Sequence, residues 1–386
     1  MINQRTGNNF SRYIRRIRHR ININHLLGFF IAVIIFSTFI LTSISKKNRL
    51  PTTQANESSN EVKNSNIDIN ENTENPPSKH SITTKPKEKK QDKSKKSKPE
   101  KKPNMTCVPC KNLQKSYGNS SPNDVVITGV FGKFSKFDKF IRSLRSTGSK
   151  ARVVVVSNTT FPNSFITKYS PCKIDFFVMK SPNNTMDMYP HSLRYIGYQQ
   201  YFRQANQTFD RVLHADSFDV FFQRDPFSDE ISKDNLYFVM EDIKIMNSSW
   251  NHGWLIRAYN ETISDELGNF TVSCSGTVIG GYSQFITYLD VLLGHEPFWL
   301  NGRHSLDQAY HNYLLHTSAF EKAGIKPMFF GCNSPILTMH YCGRNGGENI
   351  KDGQIYSPNG KIQPAIVHQY PLFGETTQAI KKMCAK

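Results

Sequence analysis

The sequence predicts an α/β domain built around a mostly parallel β-sheet. Three runs that are rich in β-branched and apolar residues have the length and composition of strands. They are NDVVITGVFG at 123–132, ARVVVVSN at 151–158 and CKIDFFVMK at 172–180. The second run is apolar without interruption, which is typical of a strand buried on both faces of a parallel sheet. These runs place three strands at the start of the predicted domain.

Helical patterns separate the predicted strands. Apolar residues recur at helical spacing in KFSKFDKFIRSLRS at 133–146 and in MDMYPHSLRYIGYQQYFRQAN at 186–206. The second pattern leads into RVLHADSFDVFF at 211–222, which begins as a fourth strand. The order strand, helix, strand, strand, helix, strand predicts an α/β fold whose mostly parallel central sheet is flanked by helices. In such sheets, ligands bind outside the carboxyl ends of the strands.

A candidate membrane anchor precedes this domain. Residues 26–44, LLGFFIAVIIFSTFILTSI, contain no charged residue and have the length of a membrane-spanning helix. The run is too long for the apolar core of a cleaved signal peptide, and it lacks a small-x-small cleavage site. Six arginines precede it, whereas only Lys46, Lys47 and Arg49 follow it closely. The positive-inside rule then predicts a cytosolic basic tail at 1–25, a signal-anchor helix at 26–44 and a type II orientation.

Residues 45–105 are predicted to form a disordered stem, because they are rich in Asn, Ser, Thr, Pro and Lys and poor in apolar residues. Within the stem, the lysine block at 85–103 is either an extended spacer, the favoured interpretation, or an electrostatic contact with anionic glycans or membrane.

The chain has a net charge of +18, but residues 1–105 hold 21 of its 49 basic residues and only 8 of its 31 acidic residues. Because this excess lies mostly outside the predicted folded domain at 106–386, it does not indicate a nucleic-acid partner.

Two features suit a lumenal location for residues 106–386. One Asn-x-Ser/Thr sequon, at Asn9, precedes the predicted anchor, and nine follow it. They begin at Asn56, Asn104, Asn119, Asn158, Asn183, Asn206, Asn247, Asn260 and Asn269. The seven cysteines also follow it, which suits an oxidising compartment, and their odd number leaves at least one unpaired. We therefore expect a glycosylated, single-pass protein of the Golgi or endoplasmic reticulum membrane.

The motif CVPC at 107–110 has three interpretations. It is a redox pair, half of a zinc site, or part of a structural disulfide at the neck of the lumenal domain. No second C-x-x-C and no His pair completes a zinc site in the sequence. We therefore favour the structural disulfide.

Two carboxylates, Asp216 and Asp219, follow the fourth predicted strand. Burying two carboxylates close together is costly unless a cation or hydrogen-bond donors compensate. Oxygen ligands at an open site suit a hard divalent cation such as Mg²⁺ or Mn²⁺. In the structural alternative, Asp216 caps a turn and Asp219 pairs with an arginine such as Arg224. The pair alone does not decide between these alternatives.

Three later features favour the metal site. AIVHQY at 365–370 is an apolar run that ends near His368, again at a predicted strand end. VSCSGTVIGG at 272–281 predicts a strand that enters a small-residue turn, where the backbone can approach a ligand closely. HSLDQAYHNYLL at 304–315 predicts a helix with Ser305 as N-cap and with Asp307 and Gln308 in its first turn.

The order acidic pair, small-residue turn, Asp-Gln helix start and late histidine resembles nucleotide-sugar glycosyltransferases of the GT-A fold, which is Rossmann-like. The resemblance covers about residues 123–370. Within the GT-A enzymes, the chain is most similar to the family-8-like branch. Those enzymes carry an Asp-x-Asp metal motif after a strand, and LHADSFDVFF at 213–222 looks like a variant of it.

The resemblance implies roles for individual residues. Mn²⁺ (or Mg²⁺) would be held by Asp216, Asp219 and His368, and Asp216 would also contact the donor. Asp307 and Gln308 would face the donor sugar as catalytic residues. The resemblance further implies that Gly276 lies beneath that sugar and that Arg194 lies near the donor.

The sequence departs from the family pattern at three points. The acidic pair is spaced Asp-x-x-Asp, and Cys274 replaces the usual Asn of the small turn. The segment HQYPLFG at 368–374 lacks the Lys-Pro-Trp ending, so no lysine is available there to hold the diphosphate. These departures leave the fold expectation stronger than the family expectation.

The expected function is metal-dependent transfer of a sugar from a nucleotide-diphosphate donor, with UDP as the expected nucleotide. The acceptor would be a lumenal glycan, glycoprotein or glycolipid. If the reaction inverts configuration, Asp307 would deprotonate the acceptor; if it retains configuration, Asp307 or Gln308 would lie beside the anomeric carbon.

The alternative is a non-catalytic membrane-anchored glycoprotein that binds glycans or serves as a scaffold. A hydrolase is disfavoured because the sequence has no G-x-S-x-G motif.

Overall fold

The computed structural model describes residues 106–385 apart from residues 114, 117, 133, 183–187 and 301–303. These residues all belong to one unit, Lys96–Lys386. The predicted cytosolic tail (1–25), anchor (26–44) and stem (45–105) lie outside the described residues. Within the described part of the chain, no helix is long and apolar enough to cross a membrane.

The fold is α/β, with a seven-stranded central sheet in the order β3-β2-β1-β4-β7-β6-β8. A three-stranded sheet, β5-β12-β9, and the hairpin β10-β11 complete the β-structure of the described residues. The strands are β1 (Val125–Gly129), β2 (Arg152–Ser157), β3 (Ile174–Val178), β4 (Arg211–Ala215), β5 (Val220–Phe222), β6 (Leu236–Lys244), β7 (Thr271–Gly281), β8 (Pro327–Phe330), β9 (Ile336–Thr338), β10 (Asn349–Lys351), β11 (Gln354–Tyr356) and β12 (Ile366–His368).

The central sheet is mostly parallel, as expected. Only β7 runs against its neighbours β4 and β6, and the other neighbouring pairs are parallel. The valines of β2 show why this strand has an uninterrupted apolar sequence. Val154 and Val156 pack into the hydrophobic cluster on one face of the sheet, and Val153 and Val155 pack into the cluster on the other face. The strand is therefore buried from both sides.

Helices cover both faces of this sheet. Helices α3, α6 and α8 contribute to one cluster, whereas α1, α2 and the small sheet contribute to the other. The helices are α1 (Asp138–Ser146), α2 (Asn163–Tyr169), α3 (Pro190–Gln204), α4 (Ser249–Ala258), α5 (Glu261–Glu266), α6 (Tyr282–Gly294), α7 (Glu296–Leu300), α8 (Asp307–His316), α9 (Ala319–Lys322), α10 (Met339–Gly346) and α11 (Gly374–Met383).

The small sheet determines where His368 lies. Strand β12 pairs antiparallel with β5 and parallel with β9, and His368 is opposite Val220 and Thr338. Strand β5 directly follows the acidic loop that begins at Asp216. This pairing therefore places the carboxyl end of β12 beside the carboxyl end of β4.

Two local predictions are wrong. The segment 272–281 is a strand throughout, not a strand entering a turn, because its backbone pairs with β4 and β6 in the sheet centre. Ser305 is not the N-cap of α8: the cap position is Leu306, without a side-chain hydrogen bond, and the Ser305 hydroxyl lies 2.5 Å from Nδ1 of His191. Asp307 does lie in the first turn of α8, as expected.

The cysteines of CVPC form two long-range disulfides. Cys107 is joined to Cys172, and Cys110 is joined to Cys384. A third disulfide joins Cys332 to Cys342, and Cys274 is a buried free thiol, so one cysteine remains unpaired as the odd count required. The motif therefore has a structural role, and it links the start of the described domain to the residues just before β3 and to its end.

A buried ion pair at the start of β4 provides a test of this fold. Arg211 and Asp124 make two parallel hydrogen bonds of 2.8 and 3.0 Å, and their side chains are 9% and 0% exposed. We expect Asp124→Ala to destabilise the protein by about 3–5 kcal/mol, because it leaves the arginine buried without its partner. Urea unfolding of the full chain measures this loss.

The matched variant is Asp175→Ala, which breaks the exposed pair between Arg152 and Asp175, whose side chains are 38% and 46% exposed. Its cost should be below about 1 kcal/mol because solvent screens exposed pairs. Equal losses in the two variants would contradict the structural role assigned to the buried pair.

Candidate metal centre

The acidic pair lies on a short loop between β4 and β5, at the carboxyl end of the central sheet. The loop is held by backbone contacts on both sides. The amide of Asp216 donates to the carbonyl of Gly276 at 2.9 Å, and the carbonyl of Asp219 accepts from the amide of Gln369 at 2.9 Å. The Ser217 hydroxyl donates to the carbonyl of Gly129 at 2.9 Å. The loop is therefore fixed between β7, β1 and the residue that follows β12.

His368 completes a cluster with the two carboxylates. Its Nε2 lies 3.5 Å from Oδ2 of Asp216 and 3.6 Å from Oδ1 of Asp219. One ligand atom from each of the three residues falls within 4.8 Å of the others. Ligand atoms on a shell of 2.1 Å radius are separated by about 3.0 Å when adjacent and about 4.2 Å when opposite, and the two His368 distances of 3.5 and 3.6 Å lie in this range.

The imidazole itself indicates a missing partner. His368 is 1% exposed, and its Nε2 has no hydrogen-bond partner among the described residues. Its other nitrogen, Nδ1, lies 3.6 Å from the thiol of Cys274. A buried nitrogen aimed between two carboxylates is the chemistry of a metal ligand, since two oxygens and one imidazole bind divalent ions. The three residues could therefore hold a metal.

Gly276 allows this close approach, although it lies within strand β7 and not in a turn. A Cβ atom at this position would lie 2.4 Å from Cε1 of His368 and 2.6 Å from Oδ2 of Asp216. Any side chain would thus displace two of the three candidate ligands. The expected turn is absent, and the expected position of Gly276 beneath a donor sugar stays a prediction.

Arg194 and the first turn of α8 surround the cluster. The guanidinium of Arg194 donates through Nη1 to Oδ1 of Asp216 and through Nη2 to Oδ2 of Asp307, the latter at 2.8 Å. Asp307 also accepts from the Ser275 hydroxyl at 3.0 Å. Both the arginine and Asp307 are buried, so their charges compensate each other.

Gln308 connects this cluster to α4. Its Oε1 accepts from the amide of Ser275 at 3.3 Å, and its Nε2 donates to Oδ1 of Asn251 at 2.8 Å. Asn251 is buried in the first turn of α4. Thus the structure brings Asp307 and Gln308 close to the cluster, where both are held by protein partners.

The electrostatics of the pair are asymmetric. Burial opposes ionisation of Asp216, but Arg194 and His368 outweigh it and hold the pKa of this carboxyl well below its usual range. Burial raises the pKa of Asp219; His368 offsets part of this effect and the charge of Asp216 adds to it. For His368, burial is outweighed by Cys274 and the two aspartates, which raise the pKa of the imidazole well above its usual value. These charges favour a protonated His368 beside an ionised Asp216 when no metal is bound.

A cavity of about 700 Å³ opens beside the cluster. Three of the predicted site residues, Arg194, Asp216 and Asp219, contribute to its lining. The others, Gly276, Asp307, Gln308 and His368, are not part of the lining that the described residues form. The cluster of Asp216, Asp219 and His368 thus lies at the cavity surface on its carboxylate side and is closed on its histidine side.

Much of the lining was not predicted from the sequence. It includes Phe131 and Lys136 after β1, His191 of α3, Trp250 and Trp254 of α4, and His340 and Arg344 of α10. One signal was present: two of the only three tryptophans in the chain are four residues apart, which places them on one helix face. The other residues carry no comparable pattern.

A further buried carboxyl group, Glu241 of β6, lies near the cluster. It is 2% exposed, and neither of its carboxyl oxygens has a hydrogen-bond partner within the described part of the chain. Nδ1 of His340 lies 3.8 Å from Oε2 of Glu241. Burial raises the pKa of Glu241 to about 7, and His368 offsets part of the rise.

No protein-family model matches the chain, and no curated protein sequence matches it. The fold described above, an α/β domain with a mostly parallel seven-stranded sheet, is compatible with a Rossmann-like domain. The resemblance to GT-A glycosyltransferases remains an expectation from the sequence motifs.

The close approach at Gly276 predicts the effect of a single methyl group. We expect Gly276→Ala to destabilise the protein by about 1–3 kcal/mol, because the added Cβ overlaps His368 and Asp216. Thermal unfolding checks this value. The matched variant is Gly253→Ala in α4, where no atom lies within 4 Å of the added Cβ. That change should be neutral or stabilise the helix by up to about 1 kcal/mol, and a comparable loss there would contradict the prediction.

Glu241 predicts a pH dependence of stability. Its pKa is about 7 in the folded protein against an ordinary value of 4.5, so the unfolded chain loses this proton first as the pH rises. Below pH 4.5, the ordinary pKa, the neutral carboxyl makes its full contribution to the stability of the fold. This contribution is lost as the pH rises through about 7, the pKa in the folded protein. Glu241→Gln cannot ionise, and its stability relative to the wild type should increase by about 3 kcal/mol between about pH 4.5 and about pH 8. Urea unfolding across this range measures the difference, and a pH-independent difference would contradict it.

Proposed function

We propose that the protein is a metal-dependent glycosyltransferase of the GT-A fold, which transfers a sugar from a nucleotide-diphosphate donor to a glycan, glycoprotein or glycolipid. UDP is the proposed nucleotide, and Mn²⁺ (or Mg²⁺) is the proposed metal. The observation that carries the proposal is the convergence of Asp216, Asp219 and His368 on one point beside the cavity. Residues from two separate strand ends, almost 150 positions apart, form this cluster.

The location of the cavity supports the proposal. Asp216 follows strand β4 and Gly129 ends the neighbouring parallel strand β1, so the cavity opens at the carboxyl edge of the sheet. Substrates of α/β proteins bind at this edge. The volume of about 700 Å³ lies within the range of small-molecule and cofactor sites.

The proposed metal would offset the charge that develops on the departing diphosphate. Two cations of the cavity lining, Lys136 and Arg344, are exposed and available for the same phosphate oxygens. They would replace the lysine that the family pattern has after the late histidine. Arg194 would act differently, because both of its terminal nitrogens bind carboxylates of the protein.

The contacts of Asp307 favour a positioning role for this residue. Its carboxylate is engaged by Arg194 and Ser275 and lies behind the cavity lining. Among the described lining residues, the only carboxylates are the proposed metal ligands Asp216 and Asp219. If transfer inverts configuration, the lining groups able to take the acceptor proton are therefore His191 and His340.

A lumenal location in the Golgi or endoplasmic reticulum, with a type II membrane anchor at 26–44, is part of the proposal. Two observations support it. The three disulfides suit an oxidising compartment. Every sequon asparagine that the structure describes is exposed, as N-glycosylation requires. These residues are Asn119, Asn158, Asn206, Asn247, Asn260 and Asn269.

The test is donor turnover by the purified full-length chain with a panel of UDP- and GDP-sugars, with and without Mn²⁺. We expect turnover only with Mn²⁺, and a thermal shift with UDP plus Mn²⁺. Asp219→Asn should lower turnover by more than about 100-fold, because the amide is a poor substitute for a charged ligand. Its melting temperature should change little, since the pKa of Asp219 is already raised and neutralising it relieves repulsion with Asp216.

The matched variant is Asp234→Asn, which changes an exposed aspartate of a loop and should leave turnover and thermal shift intact. The absence of metal-dependent turnover with every donor, together with no thermal shift, would contradict the proposal. It would instead favour the non-catalytic glycan-binding or scaffold protein.

A further inference from the structure

The cavity extends to both sides of the acidic loop. On one side it is lined by Gly129, the last residue of β1, and by Phe131 and Lys136, which follow that strand. This is the first βα turn of the sheet, where nucleotides bind in doubly wound folds. On the other side it is lined by Trp250 and Trp254 of α4 and by two side chains of α10. A transfer reaction needs a second substrate, and the two tryptophans have no role in the function proposed above.

The two tryptophans form a continuous aromatic surface. They are one helical turn apart on α4, and their ring centroids are 6.1 Å apart at an angle of 45°. Trp254 packs against the hydrophobic core, whereas the side chain of Trp250 is 59% exposed. An indole that is more than half exposed at the mouth of a cavity exposes apolar area that a ligand can cover.

Hydrogen bonds fix α4 relative to the metal cluster. Asn251, which follows Trp250, accepts from Gln308, and Gln308 in turn accepts from Ser275 beside Gly276. The N-cap residue Ser248 shares a hydrogen bond of 3.0 Å with the hydroxyl of Tyr341 on α10. The aromatic surface is therefore held at a defined position relative to the reacting centre, and helix α10 is held next to it.

We propose that Trp250 and Trp254 form the acceptor subsite, on which a pyranose ring of a glycan acceptor stacks. The proposal rests on the function proposed above and specifies its acceptor as a carbohydrate. A pyranose has a face of C–H groups that covers an indole and a rim of hydroxyls that needs polar partners. The lining provides such a partner in His340 of α10, the helix that the Ser248–Tyr341 hydrogen bond joins to α4.

The small number of tryptophans makes the test direct. The chain contains three tryptophans, and the third, Trp299, is not part of the cavity lining. Tryptophan emission of the full-length protein is titrated with defined saccharides (N-acetyllactosamine, chitobiose, mannobiose and cellobiose) in the presence of UDP and Mn²⁺. We expect a change in emission with at least one saccharide below about 1 mM, the upper end of common KM values.

The variants separate acceptor from nucleotide binding. Trp250→Ala should weaken saccharide binding by about tenfold or more while the affinity for UDP with Mn²⁺ is retained. Trp250→Phe should restore part of the saccharide affinity, because an aromatic face remains. Trp299→Phe is the matched variant and should leave the saccharide affinity unchanged. Since Trp250 is largely exposed, its replacement should not unfold the protein.

Three results would overturn the proposal: no response to any of the saccharides, an unchanged saccharide affinity in Trp250→Ala, or an equal loss of UDP affinity in that variant. The last result would assign the tryptophans to the nucleobase. Failure of the proposed function gives a different result. If UDP with Mn²⁺ does not bind the wild type but saccharide binding persists and depends on Trp250, the transferase proposal fails and the tryptophan surface is a glycan-binding site.

Discussion

The arrangement of the site depends on one guanidinium. Arg194 binds the acidic loop through Asp216 and the first turn of α8 through Asp307, so one buried cation joins two separate elements. Either carboxylate alone would be costly to bury. The arginine is itself fixed by its helix, since its neighbours Tyr195 and Tyr198 are fully buried in the core. The packing of α3 thereby helps to determine the position of the acidic loop and of the candidate metal site.

The position of His368 depends on strand register in the same way. In β12, Ile366 and Val367 pack into two different hydrophobic clusters on opposite sides of the strand. A shift of one residue would exchange these faces and place a valine beside the carboxylates. The register that buries both apolar side chains is therefore the one that directs the imidazole to Asp216 and Asp219. Hydrophobic packing and ligand placement are satisfied by one arrangement.

The sequence predicts those parts of the site that are marked by local patterns. The strands at 125–129 and 152–157 follow from β-branched runs, and the trio of Asp216, Asp219 and His368 follows from polar residues at strand ends. The interior of β7 was mistaken for a turn because Ser, Gly and Thr have weak local strand signals, which pairing on both sides overrides. The disulfide partners and the contribution of Trp250 depend on long-range packing, which spacing in the sequence does not encode.

The charge balance of the cluster supports the proposed divalent cation. Asp216, Asp219 and Asp307 surround a single permanently charged side chain, Arg194. When no metal is bound, a proton on His368 and the raised pKa of Asp219 reduce this excess of negative charge. Metal binding requires a neutral imidazole and ionised carboxylates, which leaves two negative charges beyond the one that Arg194 balances. That excess equals the charge of a divalent ion. A diphosphate bound to such an ion would then bring new negative charge to the open side of the cluster, where Lys136 and Arg344 lie.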